Sequence, residues 1–169
     1  MALVLNTNSY VAIADADTYF ETRIDSANWE SAEDELKEQA LVTATQMVDE
    51  NAWLGSAVSS SQALAWPRKN VIYYSNKMGQ QISIANDVIP TQVKIAVYEQ
   101  AFHLVNNEDV LMGQTQTYES ISIGSISLSD SNGDVTRVPK KPAEALKPIK
   151  ELIHRGRSGG MGGNWWRAN

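Results

Sequence analysis

VIPTQVKIAVYEQAFHLVNNEDV, residues Val88 to Val110, is the stretch that decides how this chain is built. Val93, Val97, Ala101 and Leu104 recur at helical spacing and make one apolar stripe. Ile95, Tyr98, Phe102 and Val105 make a second stripe beside it, with Ala96 between the two. A helix apolar over so wide an arc has neighbours on more than one side. Pro90 suits the first helical turn, where its missing N–H forfeits no bond. From Pro90 to Asn107 the rod would run about 27 Å at the usual rise per residue. The other helices are expected to lean on it, and nothing in it has the look of a catalytic centre.

Upstream, Ala14 to Arg23 (ADADTYFETR) reads as a first helix, with Ala16, Tyr19, Phe20 and Arg23 on one face. Asp15 and Asp17 suit its first turn, where carboxylates meet the positive end of the helix dipole. Such a D-x-D pair also occurs in metal sites, but no further oxygen ligands can be placed near it. Asp25 to Glu30, carrying Trp29, reads as a linker. Ser31 with Asp34 three residues on has the form of a capping box. It would open a second helix from about Ala32 to Asn51. Leu36, Ala40, Ala44, Met47 and Val48 would form its buried stripe, with Leu41 alongside. Glu33 and Lys37 would pair on its solvated side. The acidic cluster of Glu30, Glu33, Asp34, Glu35 and Glu38 fits that same wet face.

Between this helix and the next lies a long irregular segment, Ala52 to Asp87. A connection of that length is either functional or holds hidden structure. Pro67 forces Trp66 out of the α region. Trp53, Trp66, Pro67 and Arg68 are therefore read as a scaffold that pins the loop, or as a contact between subunits. The rival reading has Trp53 and Trp66 stacking on nucleic-acid bases. Val71 to Tyr74 is expected to be a strand, paired with Ile82 to Ile84 across a turn at Lys77-Met78-Gly79.

Beyond the central helix, Ile121 and Ile123 alternate in one phase and Ile126 and Leu128 in the other. A bulge or bend at Gly124 would account for the slip. Asn132-Gly133 is a hairpin turn signal, so a β-hairpin is expected at about 117–138. Pro139, Pro142 and Pro148 mark an extended connection and the start of a last helix carrying Ile149, Leu152 and Ile153, closed by Gly156. GRSGGMGGNWWRAN, residues 156–169, is different material, with five glycines in its fourteen residues. Gly-rich chain is flexible. Tryptophan and arginine are the residue types that dominate binding hot spots. Arg157, Met161, Trp165, Trp166 and Arg167 are therefore expected to form a docking tail. The predicted organisation is one mainly α domain over 1–155, like a four-helix bundle with a projecting β-hairpin, followed by a flexible C-terminal tail.

The chemistry that is missing narrows the function. There is no cysteine and only two histidines, His103 and His154, so a zinc centre is not expected. No nucleophile elbow, phosphate-binding loop or dinucleotide fingerprint occurs. No catalytic residue, metal or cofactor is expected, and the chain is read as a non-enzyme. The formal net charge of −6 argues against a dedicated duplex-DNA binder. No run approaches the roughly 20 apolar residues of a membrane span, and no signal peptide is evident.

SYVAIADADTYFETR (9–23), WLG (53–55), QALAWPR (62–68), IPTQVKIAVYEQA (89–101), the IGSIS stretch (123–127) and a Gly-rich tail occur here in one order. In this the chain resembles, over about residues 8–155, a family of tailed-bacteriophage proteins often labelled DnaT-like single-stranded-DNA-binding protein. That family looks like the head–tail connector adaptors encoded beside portal and capsid genes. The resemblance implies a helical bundle with a β-hairpin, assembled as a ring, dodecameric in such adaptors, beneath the portal. It implies a portal protein, further copies of the chain and a tail nozzle, stopper or tube protein as partners. Genomic DNA would pass through the lumen without specific binding, and no membrane is involved. The site would be the virion's head–tail connector, after synthesis in the host cytoplasm. Carried over, residues 157–169 would dock on the portal, and the hairpin around Ser120 to Arg137 would meet a neighbour or line the channel. The alternative is a single-stranded-DNA-binding accessory protein, which requires Trp53, Trp66, Tyr73 and Tyr74 exposed on a basic groove. A tail-completion protein lower in the connector is a third reading.

Overall fold

The computed structural model describes residues 2–107, 120–123, 126–129 and 139–154. The elements run α1 (Ile13–Phe20), α2 (Ala27–Ser31), α3 (Asp34–Asp49), β1 (Ser56–Ala57), β2 (Arg68–Lys69), β3 (Ile72–Ser75), β4 (Gln80–Ser83), α4 (Thr91–Asn106), β5 (Ser120–Ile123), β6 (Ile126–Ser129) and α5 (Ala143–Ile149). The strands form three separate two-stranded antiparallel sheets, β1–β2, β3–β4 and β5–β6. The fold is α-rich with small hairpins.

The double apolar stripe makes α4 the central element. Val93, Ala96, Val97 and Ala101 are fully buried, and Tyr98 and Leu104 nearly so. The long α3 packs along one side of α4, α5 along another, and the short α2 also touches it. Pro90 stands just before the first turn, and its carbonyl accepts from the amides of Val93 and Lys94 at 3.0 and 3.3 Å. Phe20 of α1 stacks on Phe102 at 5.2 Å and lies 4.8 Å from Trp29, and Tyr19 stacks on Tyr98 at 4.8 Å. These rings close one end of the core. Tyr10, Leu41, Ile149 and Leu152 fill the rest.

Four details of the helical reading change. First, the expected linker at 25–30 contains α2. Trp29 is buried and donates from Nε1 to Asp17 at 2.8 Å, and one helical turn delivers it there. Second, Ser31 ends α2 instead of capping α3, whose N-cap is Glu33. Third, Lys37 turns inward. Its ammonium lies 3.2 Å from the Asp17 carboxylate and 5.7 Å from the centre of the Trp29 ring, and Leu36 takes the solvent position. A carboxylate and a π face compensate the charge that burial would otherwise penalise. Fourth, the last helix begins at Ala143, with Pro142 as its N-cap, and stops at Ile149 just after Pro148. Pro148 sits inside that last turn and removes one rung of its ladder. The described residues therefore hold five helices, two long and three short, and the expected arrangement of four bundled helices is not seen among them.

The hairpins also refine the expectation. β3 pairs with β4 in the register Ile72↔Ser83, Tyr73↔Ile82, Tyr74↔Gln81 and Ser75↔Gln80, with Gly79 at φ +67° in the turn. That is the predicted hairpin within two residues at each end. β5 pairs with β6 from Ser120↔Ser129 to Ile123↔Ile126. The two apolar phases thus belong to two strands paired antiparallel, not to one strand with a bulge. Asn132-Gly133 lies outside the described residues.

Candidate functional site

Two stretches of the irregular segment carry the side chains that sequence singles out, and the structure uses them in opposite ways. The first is the loop from Asp49 to Asn70. Trp53 and Trp66 are buried and meet edge to face with ring centres 5.6 Å apart. The Trp66-Pro67 peptide is cis. Trp53 donates from Nε1 to the Asp49 carbonyl at 3.3 Å. The Asp49 carboxylate accepts from the Tyr10 hydroxyl through one oxygen and from the Ala65 amide, at 2.9 Å, through the other. Tyr10 in turn accepts from the Trp66 amide at 3.0 Å. Burial raises the Asp49 carboxyl above its ordinary range, against the opposing effect of those two donors and of Arg68. Burial first, and the Asp49 neighbour second, push the Tyr10 phenol up.

Arg68 ties the ends of this loop. Its Nε donates to the Leu54 carbonyl at 2.7 Å, Nη2 to Gly55 at 2.9 Å and Nη1 to Ala65 at 3.3 Å. A planar guanidinium can reach three carbonyls at once, which an ammonium cannot do in the same geometry. Gln62 closes the inside of the turn, donating to Leu64 and Pro67 carbonyls at 2.6 and 3.2 Å. β1 and β2 pair Ser56 with Lys69 and Ala57 with Arg68. Gly55, at φ +69°, allows the crossing: a Cβ there would lie 2.4 Å from the Lys69 carbonyl oxygen and 2.7 Å from Val71 Cγ2. The loop is also stitched to the end of α5. The Leu54 amide donates to Leu152 at 2.9 Å, and the His154 amide to Ala52 at 2.6 Å.

A base-stacking groove needs Trp53, Trp66, Tyr73 and Tyr74 on the surface. Only Tyr74 is there, at 55% exposure; the other three are below 9%. Arg68 already donates to three backbone carbonyls. The four residues 53, 66, 67 and 68 are thus brought together in a closed loop, the two tryptophans buried and Pro67 and Arg68 half-buried.

The second stretch is the β3–β4 hairpin. Alternation buries Tyr73 and Ser75 and turns Ile72 and Tyr74 outward. Ile72, Tyr74 and, in the turn, Met78 are 58, 55 and 63% exposed. Further large apolar side chains reach solvent at Val4 and Leu5 in the N-terminal arm. The tail residues Arg157, Met161, Trp165, Trp166 and Arg167 lie outside the described residues.

A family model described as "Putative DnaT-like ssDNA binding protein" matches residues 2–167. The chain belongs to that family. No curated protein and no solved structure matches it. The span of the DnaT-like match takes in the closed loop, the exposed hairpin, α4 and most of the Gly-rich tail.

Elsewhere, a polar cleft of about 400 Å³ is lined by Arg23, Asp25, Glu99, His103 and Glu144, among others. Its arginine is matched within the cleft. Arg23 pairs with Asp25 at 2.9 Å and with Glu99 at 2.5 Å, and Tyr19 donates to Glu99 at 2.6 Å. Among the described residues no group of three or more His, Cys, Asp or Glu is placed to hold a metal ion. No helix among them is long and apolar enough to cross a membrane. Sequence reading missed Tyr10, Asp49 and Gln62. Each is unremarkable in its own neighbourhood and gains its role only from partners brought in by folding.

Proposed function

We propose that this DnaT-like family member is a non-catalytic assembly protein, the head-to-tail adaptor of a tailed bacteriophage. It works as a ring beneath the portal, joins capsid to tail and lets DNA pass. One observation carries the reading: Trp53, Trp66 and Arg68, the side chains best suited to grip a nucleic acid, are spent on the closed loop, while apolar side chains stand out on the hairpin and the N-terminal arm. Exposed apolar groups away from a core serve contacts with other proteins. The order of sequence motifs shared with connector adaptors supports the same reading, and a net charge of −6 suits a conduit that must not hold DNA. The partners are the portal protein, copies of the chain in a dodecameric ring and a tail nozzle, stopper or tube protein. The place is the virion connector. The test is co-purification with the portal encoded in the same genome, comparing the natural chain with Trp165→Ser/Trp166→Ser. Retention of the natural chain and loss of the variant is the expected result. Failure of both to bind would refute the reading.

A second reading, single-stranded-DNA binding, is favoured by the description of the family itself. On this fold it would have to use Tyr74, with Lys69 and Lys77 near it in the sequence and likewise exposed, in place of the buried tryptophans. Its signature would be tight oligonucleotide binding that weakens steeply with salt and is lost in Tyr74→Ser.

A further inference from the structure

The β3–β4 hairpin is a two-stranded sheet whose outer face carries Ile72 and Tyr74 from β3 beside Ser83 and Gln81 from β4, so its apolar part is the β3 edge, with Met78 exposed at its tip. A pair of strands with one apolar face in water is marginal unless something covers that face. The described chain ends close by. Glu151 accepts from the backbone amide and the side-chain amide of Asn76, in the hairpin turn, at 3.2 and 2.6 Å. Three residues later the chain leaves the described body at His154, whose amide is held by Ala52. The segment that follows, residues 155–169, has only three large apolar side chains: Met161, Trp165 and Trp166. They sit on or beyond a run of glycines.

We infer that Trp165 and Trp166 cover the Ile72–Tyr74–Met78 face of their own chain's hairpin. Trp165 is the eleventh residue past His154. Eleven residues reach at most about 40 Å when extended, and a Gly-rich segment of that length has a typical end-to-end distance of roughly 17–20 Å. The hairpin's four-residue strands are about 13 Å long. The natural spread of the tether is therefore longer than the hairpin strands themselves, so a tail leaving near the hairpin turn can span the face. A tether matched to its span gives the tail an effective concentration in the millimolar range. At micromolar protein the tail of the same chain outcompetes the tail of a second copy. Two indole rings on an isoleucine, a tyrosine and a methionine make an apolar contact with an aromatic pair at its centre. The inference does not depend on the adaptor reading. If both hold, the covered state and the portal-bound state of the tail exclude each other.

The chain has no cysteine, so two introduced thiols report on one distance. Ser83→Cys stands opposite Ile72, at an exposed position, and Ala168→Cys follows the tryptophans. A short bis-maleimide added to this full-length double variant at low micromolar concentration should give a cross-linked product of monomer mass. Adding Tyr74→Ser, or Trp165→Ser with Trp166→Ser, should slow the reaction about tenfold, the loss expected when a buried aromatic contact is removed. Circular dichroism and thermal melting of the Tyr74→Ser form establish that the body is intact. Gln81→Cys in place of Ser83→Cys repeats the test with a thiol opposite Tyr74. A rate unchanged by Tyr74→Ser would mean random collision and would overturn the inference. So would a product of dimer mass, or no cross-link from either thiol pair.

Discussion

The loop at 49–70 and the hairpin at 71–84 are neighbours in sequence, and both carry aromatic and basic side chains. They differ in where their polar groups end up. In the loop, Arg68 meets three carbonyls and Asp49 meets two donors, and these bonds close the loop over the buried tryptophans, although the Trp66 indole N–H itself has no partner among the described residues. In the hairpin, strand alternation has only one interior to serve, and the other face of β3 is left to solvent. An aromatic residue in a long loop therefore says little about binding until the partners of the nearby polar groups are known. Here Trp53 and Trp66 hold the body together, and the plainer Ile72, Tyr74 and Met78 face outward from it.

The sharpest way to break this contrast is Trp66→Ala. Emptying a buried indole site should cost about 3–5 kcal/mol, read from chemical denaturation. A loss below about 1 kcal/mol would mean that the loop is not sealed. Arg68→Lys comes next. An ammonium cannot keep the three carbonyl contacts, so a loss of roughly 2 kcal/mol is expected although charge is conserved. A neutral result would remove Arg68 as the tie of the loop.

Alkaline titration gives a smaller, graded effect. Burial, and for Tyr19 the neighbouring Glu99, push Tyr19 and Tyr98 from 10.0 up to about 12, and Tyr10 is also raised. In the unfolded chain these phenols ionise near their ordinary value. Between pH 10.0 and about 12 the folded state holds protons that the unfolded state has lost. Stability is thus fully present below that window and falls as pH rises through it. Melting temperature measured across the window checks the sign. The smallest effect belongs to Tyr74→Ser, which should cost no more than the roughly 1.4 kcal/mol that a tenfold loss of the tail contact corresponds to. A larger loss there would show that Tyr74 also supports the body of the fold.

Much of this fold was legible locally. The two stripes of α4, the β3–β4 hairpin with its glycine turn and the inward tryptophans all follow from spacing and turn chemistry. What was not legible depended on contacts distant in sequence. Lys37 reads as a solvated residue until Asp17 and Trp29 are known to lie beside it. Tyr10 and Asp49 are 39 positions apart, and neither signals the other. α2 is too short for periodicity to register, and its existence follows from the burial of Trp29. At the candidate site, sequence marked Trp53, Trp66, Pro67 and Arg68 as a unit. It did not mark the outward face of β3, because alternation alone cannot say which face meets the core.

The most direct measurement is a pair of titrations of the full-length protein, followed by fluorescence anisotropy. One uses a labelled single-stranded oligonucleotide at low and moderate salt, the other the portal protein encoded with it. An assembly protein with its aromatic loop sealed should bind the portal and show at most weak oligonucleotide binding. Tight, strongly salt-dependent oligonucleotide binding without portal binding would contradict it and make single-stranded DNA the partner.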